Sequence, residues 1–231
     1  MLTWLDYCSC EHYDAHMDLS RPISVVAPTI DADVLALLAS VDVPFTGRQL
    51  HRVLGRYSQT GVNRVLNRLV HEGIVERTTA GSARTYLLNR DHLQAEWVLE
   101  LVRARERLVE RLRTTMSEWP DEPHFAALYG SAASGQHSDN SDIDLFIVRP
   151  VDVEEDDDGW TDRLLELRTL VARWTGNDCE TVEMSTEEVD RAFASQDPFV
   201  RNVGRQMIVL IGQGSYLRRG AKRRLKRPAS G

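Results

Sequence analysis

Two aspartates stand one residue apart directly before a strongly apolar run. Asp142 and Asp144 lead into residues 145–148, Leu-Phe-Ile-Val, a pattern that predicts a buried β-strand. Because successive side chains of a strand point to opposite faces, both carboxylates are expected on one side, about 7 Å apart along the chain. Carboxylate oxygens suit hard divalent cations. The pair therefore predicts a metal site at the mouth of a strand.

A glycine–serine pair precedes these aspartates. Gly130 and Ser131 follow an apolar run at 125–129, which predicts a strand, and lead into small residues at 132–134, which predict the first turn of a short helix. The free N–H groups of such a turn, together with the Ser131 hydroxyl, favour a phosphate. An anion cradle beside a carboxylate pair indicates metal-dependent chemistry on a nucleoside triphosphate.

Gly-Ser, ten intervening residues, then Asp-x-Asp and an apolar strand resembles the signature of the minimal nucleotidyltransferases of the DNA-polymerase-β-like superfamily. Gly130, Ser131, Asp142 and Asp144 match its four defining positions, and the resemblance covers roughly residues 123–214. It implies a small mixed-sheet domain in which Gly130 and Ser131 bind ATP or another NTP. The resemblance also implies that Asp142 and Asp144 are catalytic and hold a pair of Mg²⁺ ions, as in two-metal phosphoryl transfer.

The chain departs from the family pattern at one place. Many members carry Arg in the small-residue segment, where this chain has Ala132 and Ser134. This departure implies weaker triphosphate binding. A site of low activity, or one that has lost its activity, is therefore an alternative interpretation.

Other interpretations of the stretch fit less well. A Walker A loop would need Lys where Gln136 stands, and a nucleophile elbow at Ser134 would need Gly two residues earlier. A third interpretation is an ordinary turn between two strands, in which the aspartates only cap the turn. Such a turn does not require a second carboxylate on the same face of the strand, so it leaves one of the two aspartates unexplained.

A third carboxylate is expected on a neighbouring strand, since members of the resembling family place one there. Residues 179–184 read as that strand, and Glu180 is favoured as the third catalytic residue because it shares a face with Val182 and Met184. An acid on an otherwise buried face calls for a partner. Glu183, on the opposite face, is the alternative.

Charge is segregated along the 231 residues, although the net charge is only −7. Residues 47–90 hold eight Arg against two Glu (+6), and residues 121–200 hold twenty acidic against five basic side chains (−15). Residues 201–231 hold nine basic and no acidic side chains (+9). Separate basic and acidic modules indicate separate tasks, one of them at a polyanion.

Bulk properties predict a cytoplasmic protein. No apolar run approaches the ~20 residues of a membrane span, and acidic residues interrupt the N-terminus early. Three cysteines, at positions 8, 10 and 179, do not make a disulfide framework.

The pattern from Thr29 predicts three short helices. Thr29 or Asp31 is expected to cap the first helix and Thr46 the second, which ends near residue 55. Ser58 is expected to cap the third, which carries an apolar stripe and ends at Gly73.

A predicted hairpin, residues 74–77 and 84–88, follows these helices. Together they resemble a winged helix-turn-helix domain, as in bacterial transcriptional regulators. The resemblance implies duplex DNA as a partner, and the charge balance agrees with it. The candidate contacts are the outward-facing Gln59, Thr60, Asn63, Arg64 and Arg68 and the hairpin residues Arg77 and Arg84. A protein-docking winged helix with solvated arginines is the alternative.

Residues 91–118 predict one long helix, either a connector between domains or the seam of a homodimer. The predicted fold class is α+β: an N-terminal winged helix-turn-helix, a linker helix and a small mixed-sheet nucleotidyltransferase domain. The expected boundaries are a flexible leader at 1–27, the winged helix at 28–90, the linker at 91–120, the catalytic domain at 121–214 and a basic tail at 215–231.

The predicted function is transfer of an NMP, AMP from ATP in the simplest case, to an unknown hydroxyl acceptor. That acceptor could be a protein, and the fused DNA-binding module suggests a toxin–antitoxin component by analogy. The alternative is a DNA-binding regulator whose nucleotidyltransferase domain only senses nucleotide.

Overall fold

The computed structural model describes residues 16–222 except Ser82, His137, Asp139 and Asn140. The described residues form two compact units. The N-terminal unit comprises residues 18–112, and the C-terminal unit comprises residues 113–222 together with residues 16 and 17. The first part of the predicted leader, residues 1–15, and the end of the predicted tail, residues 223–231, lie outside the described residues.

The N-terminal unit combines helices with a small antiparallel sheet. Its three strands lie in the order β1-β3-β2. In chain order the elements are a 3-10 turn Pro22–Val25, α1 Ile30–Ser40, β1 Phe45–Thr46, α2 Gly47–Leu54, α3 Gln59–His71, β2 Val75–Ala80, β3 Ala83–Leu88 and α4 Ala95–Val102.

Capping side chains set the starts of α2 and α3, as predicted. Thr46 accepts a hydrogen bond from the Gln49 backbone N–H, and the Gln49 side chain accepts one from the Thr46 backbone in return. Ser58 accepts from the backbone N–H of Gly61. Behind its cap, α3 buries the expected apolar stripe: Val62, Val65, Leu66 and Leu69. The predicted helices and hairpin are therefore present; their interpretation as a winged helix stays a prediction.

Two predicted boundaries in this part of the chain are wrong. The flexible leader does not reach residue 27, because Ile23 is 4% exposed and belongs to the same core cluster as α1 and α3. The predicted linker is not one helix, since α4 ends at Val102 and α5 begins at Ala104. Val98 packs into the N-terminal core, so α4 is part of that unit.

A buried carboxylate holds the N-terminal unit together. Asp33 in α1 is 6% exposed and accepts hydrogen bonds from Arg21, Arg56 and the Tyr57 hydroxyl. Burial raises the pKa of Asp33, but the hydrogen bonds from Tyr57, Arg56 and Arg21 outweigh it, and the net pKa is lowered. The cluster ties the residue before the 3-10 turn and the turn between α2 and α3 to α1.

We expect Asp33→Ala to destabilise this unit by about 2–4 kcal/mol at pH 7, because three charge-assisted hydrogen bonds to a buried carboxylate are lost, an effect that the partial exposure of Arg21 and Arg56 reduces. Since the folded-state pKa is lowered, the stabilisation is present above the ordinary value of 3.8 and is lost as the pH falls through the folded pKa. Urea unfolding at pH 7 and pH 3 measures both effects. Asp42→Ala, which removes an exposed pair with Arg90, is the control and should cost less than about 1 kcal/mol. A loss at Asp33 no larger than this control would contradict the expectation.

The C-terminal unit is a four-stranded mixed sheet with helices, in the strand order β6-β5-β4-β7. β5 and β6 are parallel, while β4 pairs antiparallel with both β5 and β7. The elements are α5 Ala104–Ser117, within which the two units divide, β4 Phe125–Tyr129, α6 Gly130–Ser134, β5 Ile143–Val148, α7 Asp158–Thr175, β6 Cys179–Met184, α8 Thr186–Ser195, α9 Pro198–Val203, β7 Ile208–Ile211 and α10 Ser215–Lys222. The mixed α+β class is confirmed.

Two stretches of this unit differ from what their sequence predicts. Residues 197–212 read as one helix, but α9 ends at Val203 and residues 208–211 form the edge strand β7. The basic tail is not unstructured from residue 215, because α10 buries Leu217 in the core. The acidic run at 154–158 is exposed, as expected of a solvated turn, and its Asp157 also caps α7 by accepting from the Trp160 backbone N–H.

One face of the sheet carries both the core and the candidate site. Phe146 and Val148 follow Asp144 at two-residue intervals, so their side chains share its face. Phe146 and Val148 pack in a buried cluster that includes Val189 of α8 and Val200 of α9. The helices therefore cover the middle of this face and leave Asp144 at its end. Every helix in the part of the chain described is too short or too polar to cross a membrane.

Candidate active site

Strand register places the predicted carboxylates side by side. Asp144 in β5 is the register partner of Tyr129 in β4 and of Glu180 in β6. Asp142 directly precedes β5, and it lies close enough to Asp144 for its charge to act on that carboxyl group. Asp144 is half-buried, whereas Asp142 and Glu180 are exposed. Three acidic side chains thus meet at one end of the sheet.

The electrostatics of Asp144 reflect this crowding. Burial raises its pKa above the ordinary 3.8, and the charges of Asp142 and Glu180 raise it further. The three contributions act in the same direction, so the fold holds these acids together at an electrostatic cost. A bound cation would relieve that cost.

Gly130 brings the helix turn against Asp144. Its φ is +68°, a conformation that side chains with a Cβ rarely adopt. A Cβ built at this position would also overlap the Asp144 carboxylate. Glycine is therefore required here, and the first turn of α6, with Ser131 next in the chain, lies directly beside the carboxylates. The phosphate cradle and the metal pair predicted from the sequence are adjacent.

Tyr129 is a member of this site that the sequence reasoning did not assign. Its ring packs edge-on against Phe199 of α9, with centroids 5.6 Å apart. Burial raises the pKa of Tyr129 to about 12, with smaller contributions from the charges of Asp144 and Glu180. One feature of the sequence could have pointed to Tyr129, namely its position at the end of a predicted strand directly before Gly130. In the sheet its side chain lies on the same face as that of Asp144.

The two glutamates of β6 have different surroundings. Glu183, the alternative third carboxylate, accepts hydrogen bonds from Arg149 (2.6 Å) and from the Trp160 indole N–H (2.9 Å). Glu180 is 59% exposed, with an Arg168 nitrogen 3.8 Å from its carboxylate. The expectation that Glu180 occupies an otherwise buried face is wrong, since Val182 and Met184 are themselves only half-buried. Its place next to Asp144 follows from register instead.

The donor set suits a hard divalent cation that a substrate helps to bind. In the described ranges no three His, Cys, Asp or Glu side chains are arranged to hold an ion by themselves. Mg²⁺ is commonly bound by one or two carboxylates together with substrate phosphates and water, rather than by a cage of protein ligands. Asp142 and Asp144 beside the Gly130 turn match that arrangement.

The five predicted DNA contacts on α3 differ in whether they form ion pairs with other side chains. Gln59, Thr60, Asn63 and Arg64 are exposed on α3, as predicted. Arg68 is exposed as well, and it forms ion pairs with Asp31 of α1 and with Glu72.

The hairpin arginines are also exposed. Across the hairpin, Arg77 is the register partner of Tyr86, and Arg84 is the register partner of Thr79. Register partners lie on one face, and so do residues 77 and 79 of the same strand, so both arginines are on the same face of the hairpin.

Comparison with known proteins supports the reading of the C-terminal unit. Residues 110–193 match the model of the family described as polymerase beta, nucleotidyltransferase. This segment contains Gly130, Ser131, Asp142, Asp144 and Glu180. The matched segment is therefore similar to nucleotidyltransferases of the polymerase β type. No curated protein matches the chain.

Two solved structures align with about half of the chain. One is a toxin–antitoxin crystal structure with AMP-PNP, 19% identical, covering 52% of this chain and 83% of the other at a TM-score of 0.34. The second is a mutant of the toxin–antitoxin pair MntA–HpeT, 16% identical, covering 52% and 86% at a TM-score of 0.34. Scores at this level do not establish a common fold.

Proposed function

We propose that the chain transfers a nucleoside monophosphate, AMP from ATP in the simplest case, to a hydroxyl group of an acceptor. The observation that carries the proposal is the placement of Asp144 between two neighbours. Glu180 is its register partner on one side, and on the other its carboxylate lies so close to Gly130 that a Cβ at that position would overlap it. A family match to nucleotidyltransferases over residues 110–193 supports the same chemistry.

Each residue has a distinct task in this mechanism. Gly130 and Ser131 bind the β- and γ-phosphates through the backbone and hydroxyl groups of the first turn of α6. Asp142 and Asp144 would hold Mg²⁺, as a pair of ions by analogy with two-metal sites. The bound Mg²⁺ would stabilise the charge that develops at the phosphates. Glu180 accepts the proton of the acceptor hydroxyl as its oxygen attacks the α-phosphorus in line, and pyrophosphate leaves.

The test is label transfer from α-³²P ATP in the presence of Mg²⁺ and cell lysate. We expect a labelled acceptor with the wild-type protein and none with Asp142→Ala. Asp156→Ala removes an equally exposed acid from the run before α7 and should leave transfer unchanged. Transfer that persists in Asp142→Ala would overturn the mechanism.

We also propose that the N-terminal unit is a winged helix that binds duplex DNA. Support comes from the order of its elements, from the exposed Gln59, Thr60, Asn63 and Arg64 on α3, and from Arg77 and Arg84 on the hairpin. Binding through these arginines would weaken steeply with salt. A duplex affinity that is absent or insensitive to salt favours the protein-docking alternative.

A DNA-binding unit beside a transferase is the arrangement expected of a self-regulating toxin–antitoxin component, in which the acceptor is a protein partner. This role remains a proposal, as do a homodimer and a cytoplasmic location. Co-purification with the product of the neighbouring gene, followed by label transfer to it, would identify the acceptor.

A nucleotide-sensing regulator is the second candidate. The feature that favours it is the first turn of α6, which offers no basic side chain to the phosphates because Ala132 is buried and Ser134 is neutral. ATP-dependent DNA affinity without any label transfer would support the sensor over the enzyme.

A further inference from the structure

One buried amide joins the loops that lead into β5 and β6, the strands at whose starts Asp142 and Glu180 lie. Asn177 lies between α7 and β6 and is 0% exposed. Its side-chain N–H donates to the backbone carbonyl of Ser141 at 3.0 Å. Ser141 directly precedes Asp142, and Asn177 stands three residues before Glu180. The contact therefore fixes the end of one loop against the start of the other.

The partners of Asn177 determine how its amide is oriented. Its Oδ1 accepts from the backbone N–H of Met17 at 3.0 Å, so the nitrogen end must face Ser141. Its own backbone N–H donates to the Thr175 hydroxyl, which in turn donates to the Val171 carbonyl inside α7. The end of α7 thus serves as the rigid support of the amide.

A second bond reinforces the same junction. The backbone N–H of Ile143 donates to the carbonyl of Asp178 at 2.9 Å, which starts the parallel pairing of β5 with β6. Ile143 follows Asp142, so hydrogen bonds to the α7–β6 loop hold the backbone on both sides of this carboxylate. Asp142 itself is exposed. Its position is therefore set by the backbone that Asn177 and Asp178 hold.

We propose that Asn177 is a positioning residue that holds Asp142 and Glu180 at the separation required by a metal–nucleotide complex. The inference rests on the proposed function, because it assigns the amide a task in that same site. Asn177 is fully buried, so it is assigned a task that it performs through the backbone of the neighbouring loops. Residues that orient metal ligands in this way typically change metal affinity about 10–100-fold when they are replaced.

The experiment measures metal binding directly, apart from turnover. Free Mn²⁺ is titrated by its electron paramagnetic resonance signal against the full chain with α,β-methylene ATP. We expect Asn177→Ala to weaken Mn²⁺ binding at least about tenfold. Asn177→Ser, whose side chain is too short to reach Ser141, should weaken it similarly with a smaller loss of thermal stability. In turnover, the Mg²⁺ concentration for half-maximal rate should rise in both variants more than kcat falls.

Val171→Ala is the matched control, because it truncates a fully buried side chain of α7 and leaves the Ser141 contact intact. We expect this variant to melt at a lower temperature and to bind Mn²⁺ like the wild type. Unchanged Mn²⁺ affinity in both Asn177 variants, or an equal loss in Val171→Ala, overturns the positioning role alone. A wild-type chain that binds neither Mn²⁺ nor the nucleotide analogue overturns the proposed function and this inference with it.

Discussion

Replacing Asp144 by asparagine is expected to lower label transfer at least about a thousandfold while making the fold more stable. The loss follows because several kcal/mol of charge stabilisation at the phosphates depend on this ligand, and each ~1.4 kcal/mol is a factor of ten in rate. The gain in stability follows because the half-buried carboxylate lies beside Asp142 and Glu180, whose charges add to the effect of burial. Opposite changes in activity and stability are typical of a residue selected for chemistry.

The stability effect has a defined dependence on pH. Because burial and the two neighbouring acids raise the folded-state pKa of Asp144, its favourable contribution is present below the ordinary 3.8 and is lost as the pH rises through the raised value. Without metal, Asp144→Asn should therefore melt above the wild type at pH 7 and equal to it near pH 3. Thermal unfolding in chelator across this range measures the difference.

Added Mg²⁺ and nucleotide should raise the melting temperature of the wild type but not of Asp144→Asn. Asp156→Asn is the control for removal of an exposed acid, with no expected change in either quantity. An Asp144→Asn protein that keeps transfer within tenfold of wild type would remove Asp144 from the catalytic site.

Local signals explain why much of the fold could be predicted from the sequence. Thr46 and Ser58 cap their helices through bonds that depend only on residues three positions away. A local property also selects the residue at the turn of α6, where a backbone φ of +68° favours glycine at position 130. Short-range chemistry of this kind can be read from spacing alone.

What the sequence did not show depends on contacts between distant residues. Residues 208–211 are a strand because they pair with the edge of β4, whose partner residues lie 80 to 85 positions earlier in the chain. Residues 215–222 are ordered because Leu217 enters a core built from other elements. Asn177 after Gly176 looks like an ordinary turn, and its role depends on Ser141, 36 positions away. Pattern reasoning has no access to such partners.

A matched pair of substitutions in β6 separates catalysis from folding. Glu180→Gln is expected to lower kcat about 10²–10³-fold, since general-base removal has effects of this size. Its stability should change by less than about 1 kcal/mol, because the exposed contact with Arg168 contributes little. Glu183→Gln is expected to lower stability and to leave kcat unchanged. It leaves the buried Arg149 without its counter-charge and costs about 2 kcal/mol of folding free energy, while kcat stays near wild type.

Initial rates of label transfer and urea unfolding of both variants measure the two effects. The substitutions make the same chemical change three residues apart on one strand, so each serves as the control for the other. Strand register separates their positions, because Glu180 is paired with Asp144 and Glu183 with Ile147. Loss of transfer in Glu183→Gln with normal rates in Glu180→Gln would assign the third carboxylate to the opposite face. The catalytic geometry would then have to be rebuilt around Trp160 and Arg149, the hydrogen-bond partners of Glu183.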